Sequence, residues 1–239
     1  MAEPALLAVK NLSVELPGRT VLSDVSFLIQ PGVITGLCGE SGSGKTTLAM
    51  SLLRLLPSPP YRVKGEAIMA GRNLLELPES ELEGVRGAQV SIVFQDSQLA
   101  LNPVLRIRTQ LTEVLRAHGV ERNLGALLGM AGLRDAERIL ASYPHQLSGG
   151  ERQRVTIAQA LACRPKLIIA DEPFTALDEP RVVELTTLFR ELRDETGIAM
   201  LVISHSPGIL ARLCNQVLRL SDGRIVERGT PQEVLGRGR

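Results

Sequence analysis

Aromatic side chains are scarce in this 239-residue sequence: they make up 3% of it, and Trp is absent. That is too few ring faces for a stacking surface along a nucleic-acid strand, or for an aromatic belt at a lipid–water boundary. Charge of one sign is lacking as well. The 27 basic and 26 acidic side chains leave a formal charge of +1, so no overall basic field draws in nucleic acid or anionic lipid. Cysteine is limited to Cys38, Cys163 and Cys214, an odd number with no CxxC and no His/Cys ligand spacing. A reducing, cytosolic compartment is the simple expectation. No apolar run approaches the ~18 residues that cross a bilayer. Residues 1–10, with Glu3 and Pro4, lack the basic start and long apolar middle of a signal peptide. The expectation is a protein soluble by itself, with any membrane role coming through a partner.

A hydrophobic content of 44% is enough for a substantial core, in one large domain or two small ones. Short alternating or apolar runs at 6–12, 25–29 and 33–38 read as strands, the last buried on both faces. A helix is expected over 44–56, with Leu48, Leu52 and Leu55 on one side and Pro57 beyond its end. Residues 90–94 form another apolar strand, closing on Gln95. From 102 to 143 the pattern turns helical, with Ile107, Leu111, Val114 and Leu115 at helical spacing. Strand character returns at 167–170 and 199–203. Between them Val182, Leu185, Phe189 and Leu192 mark an amphipathic helix, with Gly197 as its C-cap. Asp222-Gly223 reads as a hairpin turn, and Thr230-Pro231-Gln232-Glu233 as a capping box. Strand–loop–helix and strand–helix–strand units imply a mainly parallel core sheet. The helical block interrupts that sheet, and antiparallel strands at the start make a further lobe. The expected division of one domain is 1–94, 95–162 and 163–239.

Two stretches carry the chemistry. Gly39-Glu40-Ser41-Gly42-Ser43-Gly44-Lys45-Thr46-Thr47 is a P-loop. Its glycines let backbone N–H groups turn inward around a polyphosphate, with Lys45 as a compact cation and Thr46 as a hydroxyl ligand for magnesium. Leu147-Ser148-Gly149-Gly150-Glu151-Arg152-Gln153 presents a hydroxyl and two residues without side chains at a helix start. There, orphan N–H groups and the positive helix end favour an anion. One chain thus holds two anion cradles, which serve either one nucleotide or two.

Asp171 and Glu172 end a buried strand, where parallel sheets place ligand chemistry. Asp171 would hold magnesium through its water shell, and Glu172 would polarise a water at the γ-phosphate. The plain alternative is a pair of acidic helix-capping residues. Gln95, leaving a strand, can reach magnesium or the attacking water; judged alone, it is a polar residue at a strand end. His205, after the strand at 199–203, can donate to a γ-phosphate oxygen. His118 and His145 read as a surface and a turn residue. Asp178, in Thr175-Ala176-Leu177-Asp178, reads as a helix N-cap, a role compatible with a subunit contact.

In this order the motifs resemble those of ABC-transporter ATPase subunits, and the resemblance covers essentially the whole chain. It implies an α/β P-loop NTPase core with a mainly parallel sheet, an antiparallel β lobe and an inserted α-helical subdomain. It also implies a head-to-tail dimer in which the P-loop of one subunit faces the signature of the other, with two ATPs between them. Leu147, Ser148, Gly149, Gly150, Glu151 and Gln153 would then act in trans, and Asp178 would belong to the D-loop. Lys45 would hold β/γ oxygens, Thr46 and Gln95 would address Mg2+, Asp171 would order its shell, and Glu172 would be the base. His205 would steady the γ-phosphate.

A narrower resemblance is to the oligopeptide/dipeptide/nickel importer subfamily. It rests on Leu55-Leu56-Pro57, Val63-Lys64-Gly65, Gly84-Val85-Arg86-Gly87, Ile92-Val93-Phe94-Gln95-Asp96, Leu101-Asn102-Pro103 and Tyr143-Pro144-His145-Gln146-Leu147. It implies a second ATPase subunit, the same or related, and two permeases contacted near 95–118. It further implies an extracytoplasmic binding protein, no nucleic acid, and a place on the cytoplasmic face of the membrane. The alternatives are a soluble ABC ATPase of DNA or ribosome function, and the ATPase of an exporter. Two departures stand out. The family's adenine-stacking aromatic falls at Leu16, with no aromatic nearby in sequence. The chain also stops soon after Leu235, as expected of a shorter, nickel-type variant.

Overall fold

Three strands in which every residue is buried set the frame: β3 (Ile34–Cys38), β7 (Leu167–Asp171) and β8 (Ala199–Ile203). Their continuous apolar composition marks strands covered on both faces. In the computed structural model, which describes residues 4–94, 100–175 and 177–236, they belong to a six-stranded sheet. With β6 (Val90–Val93), β9 (Gln216–Ser221) and β10 (Arg224–Gly229), its order is β10-β9-β3-β8-β7-β6. All neighbours run parallel except the β9–β10 hairpin. Asp222 and Gly223 turn that hairpin with φ of 47° and 73°, the pair of positive values a type I′ turn requires.

Alternation along the buried strands divides the core. Ile168, Ala170, Met200 and Val202 join one apolar cluster, while Leu167, Ile169, Leu201 and Ile203 join the other. The second cluster is shared with a four-stranded antiparallel sheet, ordered β2-β1-β4-β5. Its strands are β1 (Leu7–Leu16), β2 (Arg19–Ile29), β4 (Arg62–Met69) and β5 (Arg72–Asn73). The first cluster is shared with α3 (Ile107–Ala117), α4 (Leu124–Met130), α5 (Ala136–Ala141) and α6 (Gly149–Leu161). Ile107, Leu111, Leu127 and Ile139 are buried in it together with Val93 and Ile168 of the sheet, so the helical block packs on the core without a separate centre.

The P-loop helix α1 (Lys45–Leu52) is shorter than the expected 44–56. Arg54 takes a left-handed φ of 52°, its N–H donates to Ser51 O, and the Leu55 N–H donates to Met50 O. This is a Schellman termination with arginine where glycine is usual, so no glycine announced it. The short helices α2 (Glu79–Glu83) and α8 (Pro207–Leu213) were likewise not visible as periodic runs. The remaining helices, α7 (Glu179–Thr196) and α9 (Pro231–Leu235), carry the expected caps: Gly197 at φ 69° for α7, and the Thr230–Glu233 capping box for α9.

Candidate nucleotide-binding site

Sheet order assembles the site. β3 and β7 flank β8, so the loop after β3, His205 after β8 and the carboxylates ending β7 leave neighbouring strands at one edge. They line one cleft of about 450 Å³, which takes Lys45 and Thr46 from the P-loop, Glu172, Thr175 and His205 from the strand ends, and Leu16, Arg19, Val21 and Tyr61 from the antiparallel sheet. That volume is in the range of small-molecule sites.

The loop is built for close backbone approach. A Cβ on Gly39 would lie 2.2 Å from Leu220 O and 2.8 Å from Ser43 Oγ, so no side chain fits there. α1 starts from Gly44 with no side-chain cap and no acidic residue in its first turn, which leaves its first N–H groups and positive end to the cleft. The Lys45 ammonium is buried and donates to Gly39 O at 2.9 Å and Glu40 O at 2.8 Å, lying across the loop it belongs to. Ser43 Oγ and Asp171 Oδ1 are buried polar atoms with no hydrogen-bond partner among the described residues. Such atoms are costly unless something satisfies them.

The acidic pair divides by environment. Asp171 is 4% exposed, and burial pushes its carboxyl above the usual carboxylate range; the neighbouring Glu172 charge adds to this. A hydrogen bond with the Thr46 side chain and the nearby Lys45 charge work the other way. Thr46 and Asp171 thus meet, and both are oxygen ligands of the kind magnesium takes. No group of three or more His, Cys, Asp or Glu forms a metal cage among the described residues. The donor set fits an ion held by few protein oxygens and completed by phosphate and water.

Glu172 adopts a left-handed φ of 49°, a conformation costing on the order of 1–2 kcal/mol for a residue with a side chain. Its N–H donates to Ile203 O at 3.0 Å. One carboxylate oxygen, Oε2, is 2.9 Å from His205 Nδ1 and accepts from Thr175 Oγ1 at 3.3 Å. With Glu172 ionised, Nδ1 carries the proton and donates. The expected base and the expected γ-phosphate donor therefore touch each other, 33 positions apart in the chain.

The second cradle lies elsewhere. Ser148, Gly150 and Glu151 line a different cleft, with Arg134, Arg138 and Arg181. Ser148 caps α6: its Oγ accepts from Glu151 N–H at 3.2 Å, and Glu151 Oε2 accepts from Ser148 N–H at 2.8 Å. These bonds, led by the Ser148 N–H, hold the Glu151 carboxyl below the usual glutamate range, and Arg138 also pairs with it. Gly149 is exposed and Gly150 half-exposed. Leu147 is buried in the core, and the Gln153 side-chain amide donates to Pro173 O of the same chain. Gln153 thereby ties the helix to the segment next to Glu172. Asp178 is the N-cap of α7, accepting from Arg181 N–H at 3.3 Å. Gln95 and Ala176 lie outside the described residues.

Leu16 has an aromatic neighbour after all. β1 and β4 pair as far as Glu15 opposite Arg62, Tyr61 immediately precedes that pair, and Tyr61 and Leu16 both line the cleft. Sequence reasoning looked along the chain, whereas strand pairing brings the ring from a distant loop. Tyr61 and Arg19 are the site residues that this reading missed. The signal that could have found them is the antiparallel pairing itself.

A P-loop over a parallel sheet, with an acidic pair and a histidine at the ends of adjacent strands, defines a nucleoside-triphosphate-binding protein. The family profile described as ABC transporter matches residues 22–175. The chain belongs to the ABC transporter family, as an ATP-binding domain of it. It is 45% identical over 234 residues to the uncharacterized ABC transporter ATP-binding protein YejF of Escherichia coli, covering 93% of this chain and 44% of YejF. It is 41% identical over 240 residues to the oligopeptide transport ATP-binding protein OppD of Haemophilus influenzae, covering 96% of this chain and 74% of OppD. The chain thus spans less than half the length of YejF. Among solved structures, the dimeric ATP-binding cassette MJ0796 in a post-hydrolysis state, bound to ADP and Pi, superposes with a TM-score of 0.79 at 27% identity. The match covers 94% of this chain and 98% of that one. The α/β cassette architecture expected from sequence is the one found.

Proposed function

We propose that this chain binds ATP with Mg2+ in the Lys45 cleft, hydrolyses it to ADP and phosphate, and thereby energises an importer of peptides or a related small solute such as nickel. The observation that carries the reading is the one cleft in which Lys45, Thr46, Glu172 and His205 stand together. Thr46 of that cleft hydrogen-bonds the Asp171 side chain, whose Oδ1 has no partner among the described residues, and this supports a polar ligand or ion beside them. Likeness to the oligopeptide transport protein OppD favours peptides as cargo.

Lys45 exchanges its two loop carbonyls for phosphate oxygens. Thr46 and Asp171 hold Mg2+, with Gln95 assigned to the same task. That ion supplies neutralising charge at the phosphate oxygens. Glu172 accepts a proton from the attacking water as the water oxygen bonds to the γ-phosphorus. The bond from that phosphorus to its bridging oxygen breaks, and ADP leaves with the electron pair. His205 holds Glu172 in line and faces the γ-phosphate.

The Ser148 helix start, turned away from its own P-loop cleft, completes the site of a second, identical or related subunit. Closure of the pair then depends on a phosphate that hydrolysis removes. A separate, mostly apolar cleft of about 630 Å³ is lined by Phe94, Val114 and His118, and Phe94 is 42% exposed. It supports contact with permease subunits, two in the assembly, which an extracytoplasmic binding protein supplies. No helix among the described residues is long and apolar enough to cross a membrane, so we place the chain peripherally on the cytoplasmic face through those permeases.

The decisive variant is Glu172→Gln. It is expected to bind ATP as the parent does, to lose at least about 100-fold in phosphate release, and to accumulate ATP-bound dimers by size-exclusion chromatography. Hydrolysis near the parent rate would remove Glu172 from its role.

A further inference from the structure

We propose that Tyr61 is the surface on which the nucleotide base stacks, so that the base platform of this protein is carried by the edge of β4 and not by the end of β1. The proposal rests on the nucleotide-binding reading above. A nucleotide has a charged end and a flat end, and the cleft matches both: Lys45 and Thr46 stand at one side, Leu16, Val21 and Tyr61 at the other. Tyr61 is the only Phe or Tyr among the described residues lining it.

Its position follows from strand register. Leu16 pairs with Arg19 on β2, Glu15 pairs with Arg62 at the start of β4, and Tyr61 is the residue just before that strand. Arg19, Leu16 and Tyr61 therefore come together at one end of the antiparallel sheet, and all three line the cleft. A tyrosine here occupies the same end of the cleft as a ring on β1 would, one strand over.

The ring is also braced. Tyr61 N–H donates to Pro57 O at 3.1 Å, which ties its backbone into the turn before β4. Its side chain is half-buried and packs on the apolar cluster under the antiparallel sheet, leaving the rest of the ring to the cleft. A ring with two side-chain torsions, already seated, loses little freedom when a base lies on it. Base-on-ring stacking is strong enough to matter for affinity, and Leu16 offers no π-face.

Composition makes the test direct. The chain has no Trp and two Tyr residues. The other, Tyr143, stacks on His145 at 5.6 Å, with the Arg106 guanidinium 5.3 Å from its ring, and it is not among the residues lining the nucleotide cleft. In Tyr143→Phe protein, tyrosine emission therefore comes from Tyr61 alone. Saturating Mg-ATP should quench it, and Mg-tripolyphosphate, which has no base, should not. By calorimetry, Tyr61→Ala should weaken ATP roughly tenfold or more, Tyr61→Phe should stay within about threefold of the parent, and tripolyphosphate affinity should be the same in all three.

Unchanged emission on saturation with ATP, or equal ATP affinity in Tyr61→Ala and parent, overturns the stacking role and leaves the nucleotide reading intact. An equal loss for ATP and tripolyphosphate in Tyr61→Ala also overturns it, because the effect is then on the fold of the cleft. If the parent binds neither ligand and Lys45→Met changes nothing, the nucleotide reading and the stacking role fall together.

Discussion

At the P-loop, Ser43 Oγ and Asp171 Oδ1 are buried with no partner among the described residues, and the Lys45 ammonium is parked on two carbonyls of its own loop. At the signature helix, Ser148 and Glu151 already satisfy each other, and Arg138 pairs with the carboxylate. The glycines differ in the same sense. Gly39 has no room for a Cβ, whereas a Cβ on Gly150 meets nothing within 4 Å. The first cradle is tight at Gly39 though open at Gly42, and is short of hydrogen-bond partners among the described residues, which a polar ligand would supply. The second closes its Ser148–Glu151 pair, leaves Arg152 Nε as its buried atom without a partner among the described residues, and is open outward at Gly149, which is the arrangement the proposed trans role requires. Two cradles of similar composition therefore hold different offices.

The largest expected effect follows from that division. Ser148→Arg should leave ATP affinity of the isolated subunit unchanged and abolish ATP-driven association of the Glu172→Gln background, read by analytical ultracentrifugation. Association that persists with Arg at 148 would break the comparison, because the second cradle would then have no partner to meet.

Stability separates the two glycines next. Gly39→Ala should cost about 3 kcal/mol or more in urea unfolding, since the added methyl meets the Leu220 carbonyl and Ser43 inside a packed loop. Gly150→Ala should be neutral or gain up to about 1 kcal/mol from helix propensity, while weakening nucleotide-driven association. Equal stability costs at both positions would show the cradles to be built alike.

The smallest effect concerns the cap. Because its folded-state pKa is depressed, Glu151 contributes stability that is present above the ordinary glutamate pKa and is lost as pH falls through the lower folded value. Glu151→Gln should therefore be less stable than the parent by about 1 kcal/mol at pH 7, with the gap narrowing as pH drops through the acid range. A gap independent of pH would mean that the carboxylate charge plays no part in closing this helix start.

Much of this was legible in the residues, and the reasons are local. The P-loop reads from its glycines, Lys45 and Thr46 because the chemistry lies in one turn of backbone. The capping of α6 reads from Ser148 and Glu151 three positions apart, and the all-buried strands read from their apolar runs. The end of α1 did not read, because Arg54 takes a backbone conformation that glycine usually marks. The Gln153 amide donates to Pro173 O, a contact between a helix and the segment after a strand that periodicity does not encode.

By itself, then, the sequence determined the P-loop, the acidic pair that ends β7 and the capped helix start at Ser148, since each depends on residues within a few positions of one another. Tertiary structure decided which of them meet. β8 lies between β3 and β7, and so brings His205 to Glu172 beside the P-loop; the packing of α6 sends Ser148 to another cleft; and the pairing of β1 with β4 brings Tyr61 to the same cleft as Leu16. Those juxtapositions join residues far apart in the chain, and strand order within each sheet and the packing of helices decide them, not spacing in the sequence.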